Sequence, residues 1–223
     1  MLNFLYKEEF YRNRVIRKLI HISRRTVDRI DGIRDRKTCG VPLSKYVPSS
    51  AAGATGSQST PYPVLETIYR DADFQAEESF LDVGCGKGRV LAFLLKKKCR
   101  WKLTGIELNK AVADFAKSWT DAYPEIELIC GNALELNYDP YTVLHLGRPF
   151  EENLFLQFVG QLERTLTHPI KLYYWVEQES GHMLSGRPGW TRECRKILFF
   201  KKGFFIAMTP QTYSVWTYKP DER

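Results

Sequence analysis

The chain has 223 residues, 43% hydrophobic, 13% aromatic and 26% charged. That profile excludes wholly disordered, collagen-like and coiled-coil chains, and no run reaches the roughly 18 apolar residues of a membrane-spanning helix. The net charge of +7 is lopsided: residues 1–45 carry twelve Lys/Arg against five Asp/Glu, and the remainder balances. The asymmetry divides the chain into a basic helical extension (1–48), a Ser/Gly-rich loop (49–61) and a neutral domain (62–223). Cys39, Cys85, Cys99, Cys130 and Cys194 are odd in number and form no C-x-x-C, so neither a disulfide framework nor a metal site is expected and a reducing cytoplasm fits. Lys7, Glu8 and Glu9 interrupt the short apolar start, unlike a secretory signal.

Within 4–34, Val15, Ile16, Leu19, Ile20, Val27, Ile30 and Ile33 recur at helical spacing among Arg12, Arg14, Arg17, Lys18, Arg24, Arg25 and Arg29. This predicts one long or two shorter amphipathic helices, with Gly32 and Gly40 as stops. The loop after them, SSAAGATGSQST, is either a linker or a segment that orders around a ligand. A helix over 63–69 starts near Pro63. Strands are then expected at 80–83, 101–107, 125–130, 142–146 and 170–176, and helices at 88–98, 110–119 and 151–166. The tail, 191–218, should add two antiparallel strands. The alternation predicts an α/β fold, a mostly parallel sheet with helices on both faces.

The strongest signal is FLDVGCGKGRVL at 80–91, a buried strand running through three alternate glycines into a helix. Glycines there permit a tight turn and close approach of a ligand to the backbone, and the helix start offers free N–H groups. The spacing is G-x-G-x-G with Arg89 where a dinucleotide site has its third glycine, and no Walker loop is present. Asp82 would repel a pyrophosphate but suits a ligand bearing an ammonium and a sulfonium. Glu107 closes the next strand 25 residues on, where a carboxylate grips ribose hydroxyls, and Leu108 could lie on an adenine face. After the third strand, Asn132 and Ala133 are placed to read the adenine edge, although Asn132 could instead cap a turn.

With DVGCGKG at 82–88, Glu107, the GNA at 131–133 and a strand followed by Pro149-Phe150, the chain from about 60 to 175 resembles the class I (Rossmann-like) S-adenosylmethionine-dependent methyltransferases. The resemblance implies strand order 3-2-1-4-5-7-6 with the last strand antiparallel, and S-adenosylmethionine across the carboxyl ends of the first strands. It implies a cofactor set of Asp82, Gly84, Cys85, Gly86, Gly88, Glu107, Leu108, Asn132 and Ala133. Thr60 and Tyr62 would contact the methionine end. Cys85 reads as a small buried filler, not a nucleophile.

The acceptor should sit near the ends of the fourth and fifth strands. There His145, Arg148 and Glu177 are catalytic candidates, His145 and Glu177 as acid/base groups and Arg148 as a fork onto a carboxylate or phosphate. His145 could equally be a hydrogen-bonded strand-end histidine, Glu177 a solvated loop carboxylate, and His182 reads as surface. Amino-directed nucleic-acid methyltransferases carry Asp/Asn-Pro-Pro-aromatic at this point; Arg148 departs from it, so a protein side chain or small molecule ranks above nucleic acid as acceptor. The same departure admits a second hypothesis, an inactive cofactor-binding module that docks through its basic helices. Those helices read first as a cap that lays Val15, Ile16, Leu19 and Ile20 on the domain. A contact for RNA, DNA or an acidic protein comes second. An interfacial membrane helix comes last, because Glu8, Glu9, Asp28, Asp31 and Asp35 interrupt the basic face.

Overall fold

The computed structural model describes residues 3–49 and 51–220; Ser50 of the expected loop, and residues 1, 2 and 221–223 at the ends of the expected extension and domain, lie outside the described residues. After a 3-10 turn at Asn3–Tyr6 come α1 (Glu8–Arg12) and α2 (Arg14–Cys39). Asn13 caps α2 by accepting from the N–H groups of Val15 and Ile16 at 2.9 and 3.3 Å. The helix runs 26 residues to Gly40, whose φ of +73° ends it in the left-handed region. Gly32, expected as a stop, instead lies buried within the helix against Pro42. The helical spacing was read correctly there; the glycine marks close packing and not an end.

Then follow α3 (Tyr62–Ile68), β1 (Ser79–Val83), α4 (Arg89–Lys96), β2 (Lys102–Glu107), α5 (Lys110–Thr120), β3 (Ile126–Cys130), β4 (Val143–Leu146), α6 (Glu152–Thr165), β5 (Ile170–Trp175), β6 (Trp190–Leu198), β7 (Phe200–Lys201), β8 (Phe204–Phe205) and β9 (Gln211–Tyr218). Seven strands form one sheet in the order β3-β2-β1-β4-β5-β9-β6. Strands β1 to β5 pair in parallel, and β9 pairs antiparallel with both β5 and β6. This bears out the expected 3-2-1-4-5-7-6 order, because β7 and β8 form a separate hairpin that only shifts the numbering. That hairpin was not expected. Lys202 and Gly203 both take positive φ, 50° and 83°, the backbone of a two-residue turn that matches strand twist.

Alternation along the strands feeds two cores. Leu172 and Tyr174 of β5 pack with Phe155, Phe158, Val159 and Leu162 of α6 on one face. Tyr173 and Trp175 join Leu65 of α3 and Val90, Leu91 and Leu94 of α4 on the other. A third, smaller cluster joins the extension to the hairpin: Leu5, Ile20 and Phe199 are buried, with Ile16 and Phe205 packed against them.

The extension therefore caps the domain, but not with the expected stripe. Ile20 and Val27 are buried, whereas Val15, Leu19, Ile30 and Ile33 are 66, 51, 42 and 54% exposed. The inward face is completed by two carboxylates, Asp31 and Asp35, 1 and 0% exposed. Both meet Arg89 at the first position of α4. Asp35 takes its Nε and Nη2 at 3.1 and 2.7 Å, and Asp31 lies 3.6 Å from Nη1. Asp35 also accepts the Leu43 N–H, and Asp31 the Tyr62 N–H. Burial pushes the Asp31 carboxyl up to about 6, with Arg89 working against the shift. Replacing Asp35 by Ala leaves a buried guanidinium without its bidentate partner and should lower stability by about 3–5 kcal/mol in denaturant unfolding. Replacing the whole buried set, as Arg89→Met, Asp31→Asn, Asp35→Leu, should recover much of that loss, because no buried charge is then left without a partner.

Candidate functional site

Strands β1, β2 and β4 end together, and the loops beyond them enclose a cavity of about 310 Å³. Its floor is the glycine turn. Gly84 and Gly86 hold φ of +70° and +56°, and a Cβ on either would meet Pro149 at 2.6 Å or the Ser57 hydroxyl at 2.5 Å. The roof is the Ser/Gly-rich segment. Val47 and Ser57 bridge each other and Ala54 bridges Phe150. Thr55 bonds the carbonyls of Arg148 and Pro149 at 2.5 and 3.1 Å. The segment thus packs over the cavity through these contacts.

Glu107 closes β2 with both carboxylate oxygens in use: Oε2 accepts from Gly86 N at 2.9 Å and Oε1 from Asn109 N at 2.8 Å. Burial raises its carboxyl above the usual range, and these backbone donors oppose the shift. Asp82, 2% exposed, is pushed up to about 8 by burial and then by the nearby Glu107 charge. Its Oδ2 has no hydrogen-bond partner among the described residues. Asp82 pairs in register with His145 of β4, whose Nε2 is likewise buried without a partner. The other ring nitrogen, Nδ1, meets the Tyr69 hydroxyl at 2.9 Å. Burial pulls His145 down to about 3, so the ring is neutral at physiological pH. Two orphaned polar atoms, one carboxylate oxygen and one imidazole nitrogen, therefore belong to neighbouring residues of adjacent strands, both of which line the cavity.

The cavity wall brings together Thr60, Asp82, Gly84, Cys85, Gly86, Glu107, Leu108, Asn132, Ala133 and His145 of the expected residues. Asn132 also lines it, yet its amide is committed to capping: Oδ1 accepts from Leu134 N at 3.0 Å and Nδ2 donates to Glu135 at 2.8 Å. Four expectations need correction. Tyr62 is not at the cavity; it is buried in the core under Arg34, whose guanidinium lies 4.1 Å from its ring. Gly88 serves the turn alone, its φ of +84° starting α4 where a Cβ would strike Trp119. Arg148 points away to Glu179 at 2.7 Å. Glu177 is neither solvated nor at the cavity: it is buried and ion-paired with Arg195. The reading of the residues missed Lys87, which lines the cavity while its ammonium donates to the Lys45 carbonyl. Ser57, the first residue of the 57–62 segment that the resemblance implies closes over the cofactor, lines the cavity as well.

Residues 80–151 match the family model described as "Methyltransferase domain". Over 90 residues the chain is 30% identical to a tRNA (guanine-N(7)-)-methyltransferase of Synechococcus sp. (strain JA-3-3Ab), covering 40% of this chain and 36% of that protein. The chain thus matches about a third of the length of that curated relative. Among solved structures it resembles an RNA methyltransferase from Salinibacter ruber in complex with S-adenosyl-L-homocysteine, with a TM-score of 0.53 and 19% identity over 74% of this chain and 95% of that one. It also resembles TrmN from Thermus thermophilus, with a TM-score of 0.56 and 13% identity over 70% and 48%. The structural likeness is one of fold.

The raised Asp82 carboxyl has a signed consequence. Its folded-state pKa of about 8 lies above the ordinary 3.8, so the stability it contributes is full below about pH 4 and is lost as pH rises toward 8. Asp82→Asn removes the ionisation. The stability difference between the variant and the native protein should move in the variant's favour from pH 5 to pH 9, read from denaturant midpoints. A pH-independent difference would mean that Asp82 ionises normally.

Proposed function

We propose that this chain, a class I methyltransferase in fold and in its match over residues 80–151, binds S-adenosylmethionine in the cavity at the ends of β1, β2 and β4 and transfers its methyl group to an acceptor. The observation that carries the reading is the pair of carboxylates, Asp82 and Glu107, on either side of a glycine turn where the backbone leaves no room for a Cβ. The donor supplies a methyl carbon on a sulfonium, already a good leaving group. Glu107, fixed by Gly86 and Asn109, keeps lone pairs free for two ribose hydroxyls. Leu108, 48% exposed, offers a face for adenine. The orphaned Asp82 oxygen and His145 nitrogen suit the charged amino-acid end: the carboxylate accepts from an ammonium, and the neutral imidazole donates or accepts with Nε2 according to its tautomer. Binding a cation beside Asp82 favours its ionised form, so the donor should displace a proton near neutral pH.

His145 is a weak base, and Glu177 and Arg148 are engaged elsewhere. The protein then contributes alignment and exclusion of water more than proton abstraction. Such a site suits an acceptor atom that arrives unprotonated, such as a ring nitrogen. The likeness to a tRNA (guanine-N(7)-)-methyltransferase supports an RNA acceptor over the protein or small molecule ranked first by sequence. The inactive-module reading, which rested on the departure at Arg148, draws no support from the likeness to a methyltransferase domain and to a tRNA methyltransferase.

Calorimetric titration should show binding of S-adenosylmethionine and S-adenosylhomocysteine and none of NAD or ATP. Glu107→Ala should weaken the product complex by about 1.5–3 kcal/mol; an unchanged Kd in a folded variant removes Glu107 from the site. With methyl-tritiated donor, label is expected in unmodified tRNA transcripts. Label confined to protein would overturn the RNA reading, and donor turnover indistinguishable from buffer would overturn the enzyme.

A further inference from the structure

The outer face of α2 carries a second surface, unconnected with the cavity. Val15, Leu19, Ile22, Ile30 and Ile33 follow one another at helical steps, with Thr26 filling the gap, and are 66, 51, 62, 42 and 54% exposed. At about 1.5 Å per residue the stripe extends roughly 27 Å along the helix. Beside it runs a row of exposed cations, Arg14, Lys18, Arg25, Arg29 and Arg36. Of the five acids that appeared to interrupt the basic face, Glu8 and Glu9 are exposed on α1, before α2 begins, and Glu8 pairs there with Arg12. Asp31 and Asp35 are buried on Arg89, and Asp28 is held at 3.2 Å by Arg24, which also donates to the Ile206 carbonyl. Asp28, with its side chain 44% exposed, is the one acid of α2 that reaches solvent, and Arg24 neutralises it there.

We infer that this face docks on an anionic lipid surface, with α2 lying in the plane of the headgroups. The observation is charge complementarity joined to an apolar stripe broken only by Thr26, whose hydroxyl is turned back on the Ile22 carbonyl: the aliphatic side chains enter the acyl boundary while the flanking Lys and Arg reach lipid phosphates. A nucleic acid would use the cations and leave the stripe wet. A second copy would set one cationic row against another. No described helix is long and apolar enough to cross a membrane, so the contact is peripheral. The inference does not rest on the methyl-transfer reading.

The test is sedimentation of the full chain with vesicles of phosphatidylcholine alone or mixed with phosphatidylglycerol. Binding is expected to the mixed vesicles only. Lys18→Gln, Arg25→Gln, Arg29→Gln together should weaken it about a hundredfold, at roughly fivefold per charge. Leu19→Ser, Ile22→Ser, Ile30→Ser together should weaken it at least tenfold. Both triple variants leave the inward face untouched, and unchanged thermal unfolding confirms it. Equal vesicle binding by the serine variant would reduce the contact to charge adsorption and overturn the inference. So would no vesicle binding by the native chain, whether it is retained on RNA, captured by an acidic protein, or dimerises through the same stripe in light scattering.

Discussion

Everything near the cavity depends on where Arg89 is allowed to be. It is the first residue of α4, directly after the glycine turn, and a cation at a helix N-terminus faces the positive end of the helix dipole. It is also almost wholly buried. Asp35, Asp31 and the Ser44 hydroxyl, 2.7 Å from Nη2, make that placement tolerable, and all three come from the extension or the stretch just after it. Two residues earlier in the turn, Lys87 is held by the Lys45 carbonyl. The basic extension thus grips the cofactor turn directly, and the boundary suggested by composition near residue 48 separates charge but not mechanics.

The cavity balances opposing demands. Two carboxylates that repel each other are brought close because glycines let the backbone donate to one of them. The other is left without a partner, beside an imidazole that is itself one hydrogen bond short. Empty, such a wall is electrostatically costly; filled by a cationic, hydrogen-bonding ligand, the same groups become recognition. The aromatic set beneath it, Tyr69 against Tyr173 at 4.6 Å and against Phe80, Phe93 and Trp101, fixes the hydroxyl that orients His145.

The sheet was legible because its strands are short apolar runs punctuated by glycine and alternate with helical patterns; their order came from the resemblance, and the pairings agree with it. The glycine turn and the carboxylates at the ends of the first two strands were legible for a similar reason: the backbone there has few alternatives. The inward face of α2 was not. Apolar periodicity selects the stripe that looks like a core, but the buried face is completed by Asp31 and Asp35, whose partner lies 54 residues beyond Asp35. A buried ion pair has no local signature. Glu177 and Arg148 misled for the same reason: a charged residue at a strand end reads as chemistry until Arg195 and Glu179 are seen beside it. Tyr62 was placed by its neighbour Thr60, and the first turn of α3 rotates the two apart.

The position of β9 has a consequence for how the chain is made. It enters between β5 and β6, bonding both, although it is the last strand in sequence. Until residues 211–218 leave the ribosome, β5 presents a bare edge of buried, aromatic residues, and β6 has no neighbour at all. The N-terminal cluster waits as well, since Leu5 and Ile20 close on Phe199. Synthesis therefore delivers the parallel half of the sheet early and its closure late, a long-range order of assembly in which an exposed strand edge invites wrong pairing. A pause in translation before residues 211–218 emerge would hold the protein at its most adhesive stage.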